Sequence, residues 1–177
     1  PSRSHRAGES QPNNPTAQCF ASTAVRQLIE AVPGVIVIDE AYYEFSGQTV
    51  LPLLPTYPHL LVFRTLSKIG MAGLRVGILV GHPELVYEIN KVRLPYNLSA
   101  YSQAAAVVVL QHWERLTPEF RTIIDERERL RESLGRFSGV TVFPSQANFL
   151  LARLDVGAAR MWEALGEHGI LVRHFPE

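Results

Sequence analysis

VIVIDEAYYEF (residues 35–45) and LLVFRTLSKIGMAGLRVG (residues 60–77) are the segments that decide the fold of this chain. Each begins with a short apolar run without alternation, which is typical of a strand covered on both faces in a parallel sheet. Residues 76–80 predict a third strand. In an open α/β sheet, residues that follow such strands lie in the crevice where ligands bind. We therefore expect a mostly parallel α/β sheet with a site at the strand ends.

Helices and short strands are predicted on both sides of this stretch. Apolar residues at helical spacing predict a helix over 19–31, which Pro33-Gly34 ends, and residues 46–59 form an irregular connection rich in proline. Helices are expected over 83–93, 99–113 and 118–136. The tail predicts strands at 140–143, 149–154 and 170–172 around a helix at 156–167.

This order of elements predicts a domain organisation. Residues 1–10 are polar and are expected to form a disordered tail. Residues 11–115 are assigned to part of a large domain with the mostly parallel sheet, and residues 116–177 to part of a smaller α+β domain. The long helix is expected to span the two lobes.

The composition excludes several classes of protein. The chain has 177 residues, and its 17 lysines and arginines balance 17 aspartates and glutamates, so no global charge favours nucleic acid or a membrane surface. No run of eighteen apolar residues occurs, as a membrane span would need, and the N-terminus PSRSHRAGES has no hydrophobic core of the kind that a signal peptide needs. The single Cys19 excludes an intrachain disulfide, and no cysteine–histidine group has zinc spacing. We expect a soluble, cytoplasmic protein without a metal site.

Lys68 is the candidate reactive residue. An amine held at a strand end beside other cationic groups can lose its proton and form an imine with an aldehyde. An arbitrary lysine is more often a plain surface residue, but the neighbours of Lys68 favour a site. Thr65 and Ser67 offer hydroxyls, and Arg75 offers a planar guanidinium suited to a phosphate.

Asp39 and Tyr42 supply an acid and a phenol at the neighbouring strand end. Asp39 is either a turn former or a carboxylate that keeps a pyridine nitrogen protonated, and the protonated ring then accepts electrons from the substrate carbon. Tyr42 is either a packed aromatic residue or a partner for a ring hydroxyl. An acid, a phenol, a lysine and a group of phosphate donors are what pyridoxal phosphate requires.

Four motifs carry a family resemblance: PNNPT at 12–16, DEAYYEF at 39–45, RTLSKIGMAGLRVG at 64–77 and PYN at 95–97. In this order they resemble the fold type I pyridoxal-phosphate aminotransferases, and within these the histidinol-phosphate aminotransferases most closely. The similarity extends over residues 11–175.

The resemblance implies a role for each matching position. Lys68 resembles the Schiff-base lysine that also shuttles the substrate proton, and Asp39 resembles the partner of the pyridinium nitrogen. Asn14 and Tyr42 resemble the donors to the phenolic oxygen of the cofactor. The positions that resemble part of the phosphate site are Thr65, Ser67 and Arg75. Asn148 matches a recurrent asparagine to which no role is assigned.

The resemblance also implies an activity and partners. The expected reaction is a two-stage ping-pong amino transfer between histidinol phosphate and 2-oxoglutarate. Two alternatives stay open: another pyridoxal-phosphate reaction, such as a different amino-acid transamination or decarboxylation of a phosphorylated amino acid, and a catalytically silent fragment. A homodimer is implied, with residues 91–97 as a candidate contact.

The chain departs from the family pattern in several places. Ala17 replaces the glycine that usually follows NNPT, which is tolerable if its φ is negative. The polar stretch before Gln11 does not resemble the apolar strand of the family. The segment that forms the first half of family members is missing from this sequence. The C-terminal arginine with which they bind the substrate carboxylate is missing as well. The chain alone is therefore expected to expose VIVI and LLVF, to be unstable, and to bind the cofactor weakly.

Overall fold

The computed structural model describes residues 6–155 and 157–175. Its strands and α-helices, in chain order, are β1 (Arg6–Ser10), α1 (Ser22–Ala31), β2 (Val35–Asp39), α2 (Tyr43–Ser46), β3 (Leu60–Thr65), β4 (Gly77–Gly81), α3 (Pro83–Lys91), α4 (Ala100–Gln111), α5 (Thr117–Leu134), β5 (Val140–Val142), β6 (Ala152–Leu154) and α6 (Ala158–Glu167). Short 3-10 turns include Leu66–Lys68 and Ala72–Leu74. No helix in these ranges is long and apolar enough to cross a membrane.

A four-stranded sheet in the order β1-β2-β3-β4 forms the larger part of the fold. β1, β2 and β3 are parallel, and β4 runs antiparallel to β3. The mixed sheet is therefore mainly parallel, as predicted. Its antiparallel strand is possible because only a short segment joins β3 to β4, whereas a parallel pair would need a longer crossover.

β1 corrects the expectation of a disordered tail. Arg6–Ser10 pairs with β2 from Arg6↔Val35 to Ser10↔Asp39. Strand pairing uses backbone N–H and C=O groups, so a polar sequence does not prevent it, and polar strands are common at sheet edges. Residues 1–5 of the expected tail lie outside the described ranges.

The two strands that decide the fold are buried, contrary to the expectation that they would be exposed. Ile36, Ile38, Leu60 and Val62 have no accessible surface, and α1 packs Val25 and Ile29 into the same cluster. β2 is also paired on both edges. Large exposed apolar side chains lie instead around and within α3 and α4, among them Val92, Leu94, Tyr96, Tyr101 and Val107, and in the C-terminal part, among them Phe137 and Leu171.

The C-terminal part contains the antiparallel pair β5–β6 and helix α6. The strand predicted at 170–172 is wrong, since these residues take no regular structure. In the described part of the chain β6 pairs only with β5, and the Val172 carbonyl accepts from Trp162 Nε1 at 3.0 Å. Helix α5 packs against both α2 and β5. The division at residue 115 stays a prediction.

A buried ion pair fixes the segment after β2. Glu40 is fully buried, and its Oε1 accepts from Val50 N at 2.6 Å. Its Oε2 accepts from Thr49 Oγ1 at 2.8 Å and from the Arg64 guanidinium at 2.9 Å. The Arg64 guanidinium stacks on the Tyr43 ring, 3.5 Å from the centroid. Glu40 therefore joins β3 to the connection that follows α2.

Glu44 lies close to this ion pair and gives a pH-dependent prediction. Burial raises the pKa of its carboxyl above the ordinary value of 4.5, although a backbone hydrogen bond and Arg64 act in the opposite direction. The folded state thus binds this proton more tightly than the unfolded state, so stability falls as pH rises from about 4.5 through the raised pKa. We expect Glu44→Gln to raise the melting temperature at pH 7 and to change it much less at pH 4.

The matched control is Glu132→Gln at an exposed position of α5. This substitution is expected to change the free energy of unfolding by no more than about 0.5 kcal/mol. Equal shifts of the Glu44→Gln melting temperature at both pH values would contradict the prediction.

Candidate active site

Two predicted site residues lie at the same edge of the sheet. β2 ends at Asp39, β3 ends at Thr65, and these strands are parallel with Asp39 opposite Phe63. Lys68 closes the 3-10 turn that directly follows β3. The carboxyl ends of β2 and β3 therefore place Asp39 and Lys68 at one edge, as predicted.

The Asp39 carboxylate is half-buried and has one oxygen available. Its Oδ1 accepts from Ala41 N at 2.9 Å, which makes Asp39 a turn former as well. Within the described ranges no group donates to its Oδ2. An oxygen in this position can accept a hydrogen bond from a ligand N–H.

Tyr42 joins the segment after β2 to the PNNPT turn. Its hydroxyl oxygen accepts from Asn14 Nδ2 at 3.0 Å. The ring is buried and meets Phe149 edge to face, with centroids 5.4 Å apart. Tyr42 is thus both a packed aromatic residue and a polar partner of Asn14, and its own O–H stays able to donate.

Lys68 is an exposed amine beside Tyr42. Its Nζ lies 5.3 Å from the Tyr42 ring centroid, within cation–π range. It makes no ion pair or hydrogen bond through Nζ to any residue in the described ranges. The other lysine of the chain, Lys91, is bonded to Glu88 on α3. Lys68 is therefore the lysine whose amine stays available for chemistry.

The hydroxyls predicted for a phosphate site are close together. Thr65 Oγ1 lies 3.0 Å from Ser67 Oγ and 3.1 Å from the Val76 carbonyl oxygen, and it accepts from Ser67 N. Arg75, next to Val76, has a left-handed backbone with φ 55°, and its guanidinium donates to the Ala72 carbonyl at 3.3 Å. Arg75 is exposed, so its guanidinium can also reach a ligand.

The condition set for Ala17 is not met, because its φ is +59°. The left-handed region costs an alanine about 1–2 kcal/mol relative to glycine. The Ala17 side chain is nevertheless fully buried and forms part of the cluster that contains Tyr42 and Ala147. Packing in this cluster offsets part of the backbone strain.

Two surface clefts lie apart from the predicted site residues. One, of about 190 Å³, is bounded by Glu9, Gln11 and the α1 side chains, and the buried Gln11 Oε1 accepts no hydrogen bond from the described ranges. The other, of about 440 Å³, lies along residues 93–98 and Gln103. A cavity shared by Asp39 and Lys68 stays a prediction.

A contact that the sequence did not predict reaches Lys68 from the C-terminal part. Asn148 Nδ2 donates to the Lys68 carbonyl oxygen at 3.3 Å. The sequence identifies Asn148 only by its resemblance to a recurrent asparagine, which assigns it no contact. Residues 80 positions apart are brought together only by the tertiary structure.

Residues 10–177 match the family model for aminotransferases of class I and II. Histidinol-phosphate aminotransferase 2 of Nitrosococcus oceani is 43% identical over 164 residues, which are 92% of this chain and 46% of that protein. Histidinol-phosphate aminotransferase 2 of Bordetella parapertussis is 45% identical over 93% of this chain and 46% of that protein. The chain therefore spans about half the length of the curated relatives it matches.

Solved structures of related proteins share the fold of this chain. The histidinol-phosphate aminotransferase of Sinorhizobium meliloti, solved in complex with pyridoxal-5'-phosphate, matches with a TM-score of 0.84 at 27% identity, over 95% of this chain and 48% of that one. L-threonine-O-3-phosphate decarboxylase of Porphyromonas gingivalis matches with a TM-score of 0.84 at 26% identity, over 97% and 55%. The chain thus shares its fold with proteins that carry out two different reactions.

Proposed function

The chain belongs to the class I and II aminotransferases, and from this membership we propose that it supplies the lysine-bearing part of a pyridoxal-phosphate-dependent aminotransferase. The observation that carries the proposal is the placement of Lys68 at the carboxyl edge of the sheet beside the Asn14–Tyr42 pair. A reactive amine, a polar pair and Asp39 at the same edge match the chemistry of this cofactor.

The residues at this edge fit the cofactor by their chemistry. Asp39 Oδ2 would hold a proton on the pyridine nitrogen, since no described donor occupies this oxygen. Asn14 and Tyr42 would hydrogen-bond the ring oxygen, and their mutual bond fixes the direction of both groups. The phosphate would be bound by Thr65, Ser67 and Arg75.

Lys68 has two tasks in the proposed reaction. Its Nζ would bind the cofactor aldehyde covalently, and the same amine, once released, would move the proton at the substrate α-carbon. Pyridoxal phosphate supplies an electron-withdrawing ring that stabilises the charge left on that carbon. Lys68 Nζ lies 5.3 Å from the Tyr42 ring centroid, so the amine and a residue proposed to bind the ring oxygen are neighbours.

We propose histidinol phosphate as amino donor and 2-oxoglutarate as acceptor. The support is the names of the relatives that are 41–45% identical. The second candidate is decarboxylation of a phosphorylated amino acid, which is favoured by the similarity to the Porphyromonas gingivalis decarboxylase. Both reactions use the same cofactor residues.

One experiment separates these reactions. The protein at its full natural length is incubated with pyridoxal phosphate, histidinol phosphate and 2-oxoglutarate, and glutamate is measured; a parallel sample receives O-phosphothreonine, and carbon dioxide is measured. Glutamate without carbon dioxide supports the proposal, and the reverse supports the decarboxylase. Neither product from a folded protein would favour a silent fragment. Residues 1–177 alone are expected to bind the cofactor weakly in a titration.

We also propose a homodimer with residues 91–97 at the contact. The support is the exposure of large apolar side chains in this segment, where Tyr96 is 98% exposed and Val92 and Leu94 are mostly exposed. An exposed apolar patch of this kind usually marks a site of contact with another protein surface.

A cytoplasmic location is part of the same proposal and agrees with the single free Cys19.

The dimer predicts the effect of one substitution. Leu94→Asp in the protein at its full natural length is expected to weaken the dimer by at least about tenfold, because a charge would be buried in an apolar contact. Sedimentation equilibrium measures this, with Leu171→Asp, also strongly exposed but outside the segment, as control. A monomeric unsubstituted protein would contradict the proposal.

A further inference from the structure

Residues 145–149 (SQANF) form a fixed turn in the C-terminal part. Ser145 Oγ accepts from Ala147 N at 3.1 Å and lies 2.6 Å from the Phe149 carbonyl oxygen, to which it donates. Ser145 and Ala147 are buried. These hydrogen bonds fix the backbone of the turn and thereby the directions in which the side chains of Gln146 and Asn148 point.

Gln146 fastens this segment to the turn that carries Asn14. Its backbone N donates to the Ala17 carbonyl at 2.6 Å. Its side-chain Oε1 accepts from Cys19 N at 2.9 Å. Two hydrogen bonds from one residue therefore hold residues 17–19, directly after the PNNPT turn.

Asn148 and Phe149 reach the other two elements of the site. The Asn148 amide donates to the Lys68 carbonyl, and the Phe149 ring packs edge to face on Tyr42. The segment thus touches three separate stretches of chain that carry Asn14, Tyr42 and Lys68.

Arg127 binds residues 145–149 from helix α5. Its guanidinium donates to the Ala147 carbonyl at 2.7 Å and pairs with Glu128 at 2.9 Å. Its side chain is only 10% exposed, although it lies on the mostly charged helix α5. A nearly buried arginine that binds a backbone carbonyl indicates a fixed junction between α5 and residues 145–149.

We propose that residues 145–149 are a positioning segment for the cofactor residues, in which Asn148 sets the orientation of the Lys68 peptide and Gln146 that of the Asn14 turn. The proposal rests on the proposed function for its link to the cofactor. Asn148 is exposed, so its hydrogen bond is not needed to satisfy a buried group. Its effect is therefore on the geometry of Lys68 more than on the stability of the fold.

The test compares Asn148→Leu, which has a similar shape without the amide, with Asn90→Leu, the same change at an exposed asparagine on α3. Hydrogen exchange is measured without cofactor in the protein at its full natural length. Asn148→Leu is expected to speed exchange several-fold at residues 65–70 and to leave the melting temperature within about 4 °C. Asn90→Leu is expected to leave exchange at residues 65–70 unchanged.

A second pair of measurements addresses positioning directly. Asn148→Leu is expected to raise the Kd for pyridoxal phosphate about tenfold. When the visible absorbance of the bound cofactor is titrated with pH, the midpoint is expected to shift by about half a pH unit. Asn148→Gln keeps an amide donor. Its Kd and its pH midpoint are therefore expected to lie between those of the unsubstituted protein and those of Asn148→Leu. Gln146→Met, which lacks the acceptor for Cys19 N, is expected to speed exchange at residues 14–19 and not at 65–70.

Unchanged exchange at residues 65–70 in Asn148→Leu would overturn the proposal. Faster exchange throughout the chain, with a matching fall in melting temperature, would also overturn it, since Asn148 would then only stabilise the fold. The exchange measurements need no cofactor. If the unsubstituted protein binds no pyridoxal phosphate at Lys68, the proposed function fails while the exchange result still decides the positioning of Lys68.

Discussion

Lys68→Ala is expected to abolish covalent binding of pyridoxal phosphate and to lower amino transfer by about 10³–10⁴-fold or more. The physical reason is that the substitution removes both the covalent attachment and the group that moves the substrate proton. Lys68 has no bonded partner for Nζ in the described ranges, so its loss leaves no buried charge and the fold is expected to survive. Circular dichroism and thermal melting check that the fold is retained.

The chain itself supplies the control, because Lys91 is its only other lysine. Lys91→Ala removes an exposed ion pair with Glu88 on α3 and is expected to leave covalent binding of the cofactor unchanged. After borohydride treatment of the unsubstituted protein, peptide mass mapping should locate the cofactor on Lys68. An adduct on Lys91, or on a lysine outside this chain, would remove the central assignment.

Glu40→Ala is expected to lower the free energy of unfolding by about 3–5 kcal/mol. The substitution leaves the Arg64 guanidinium, which is 20% exposed, without its carboxylate. It also leaves the Val50 N–H without its acceptor in a buried position. The loss should appear as a lower midpoint in urea unfolding, with Arg64 still in contact with Tyr43.

Two comparisons sharpen this prediction. Glu40→Gln keeps an oxygen for Val50 N but loses the charge, so we expect a smaller loss than for alanine. Glu88→Ala, at an exposed ion pair, is expected to change stability by less than about 0.5 kcal/mol. A loss at Glu40 no larger than at Glu88 would show that the buried ion pair contributes little.

The buried strands were predictable because burial on both faces leaves a plain mark in the sequence. Residues 35–38 and 60–63 were predicted and lie within β2 and β3. β1 was missed because RAGES has no apolar pattern, whereas strand pairing is made by backbone groups. The opposite error at 170–172 arose because an apolar run forms a strand only when another strand pairs with it, and within the described residues none lies beside this run.

The site was predictable where its chemistry is carried by local motifs. Asp39 and Lys68 follow strands that can be recognised, so their common edge could be inferred. The hydrogen bonds of Gln146 and Asn148 could not, because their partners lie far away in sequence and neither residue differs from an ordinary polar loop residue. The roles of Asn14, Asp39, Tyr42, Thr65, Ser67, Lys68 and Arg75 stay predictions.

The contacts made by residues 145–149 also bear on the order of events during synthesis. The four strands of the described main sheet lie within residues 6–81, so they leave the ribosome before residues 145–149 and can pair while translation continues. The bonds from Gln146 to Cys19 and from Asn148 to Lys68 join residues 127 and 80 positions apart. Closing such long loops is slow, and here it must wait until residues 145–149 have been synthesised. We therefore expect a nascent chain that stops before residue 145 to hold a formed sheet but an unfastened Lys68 turn.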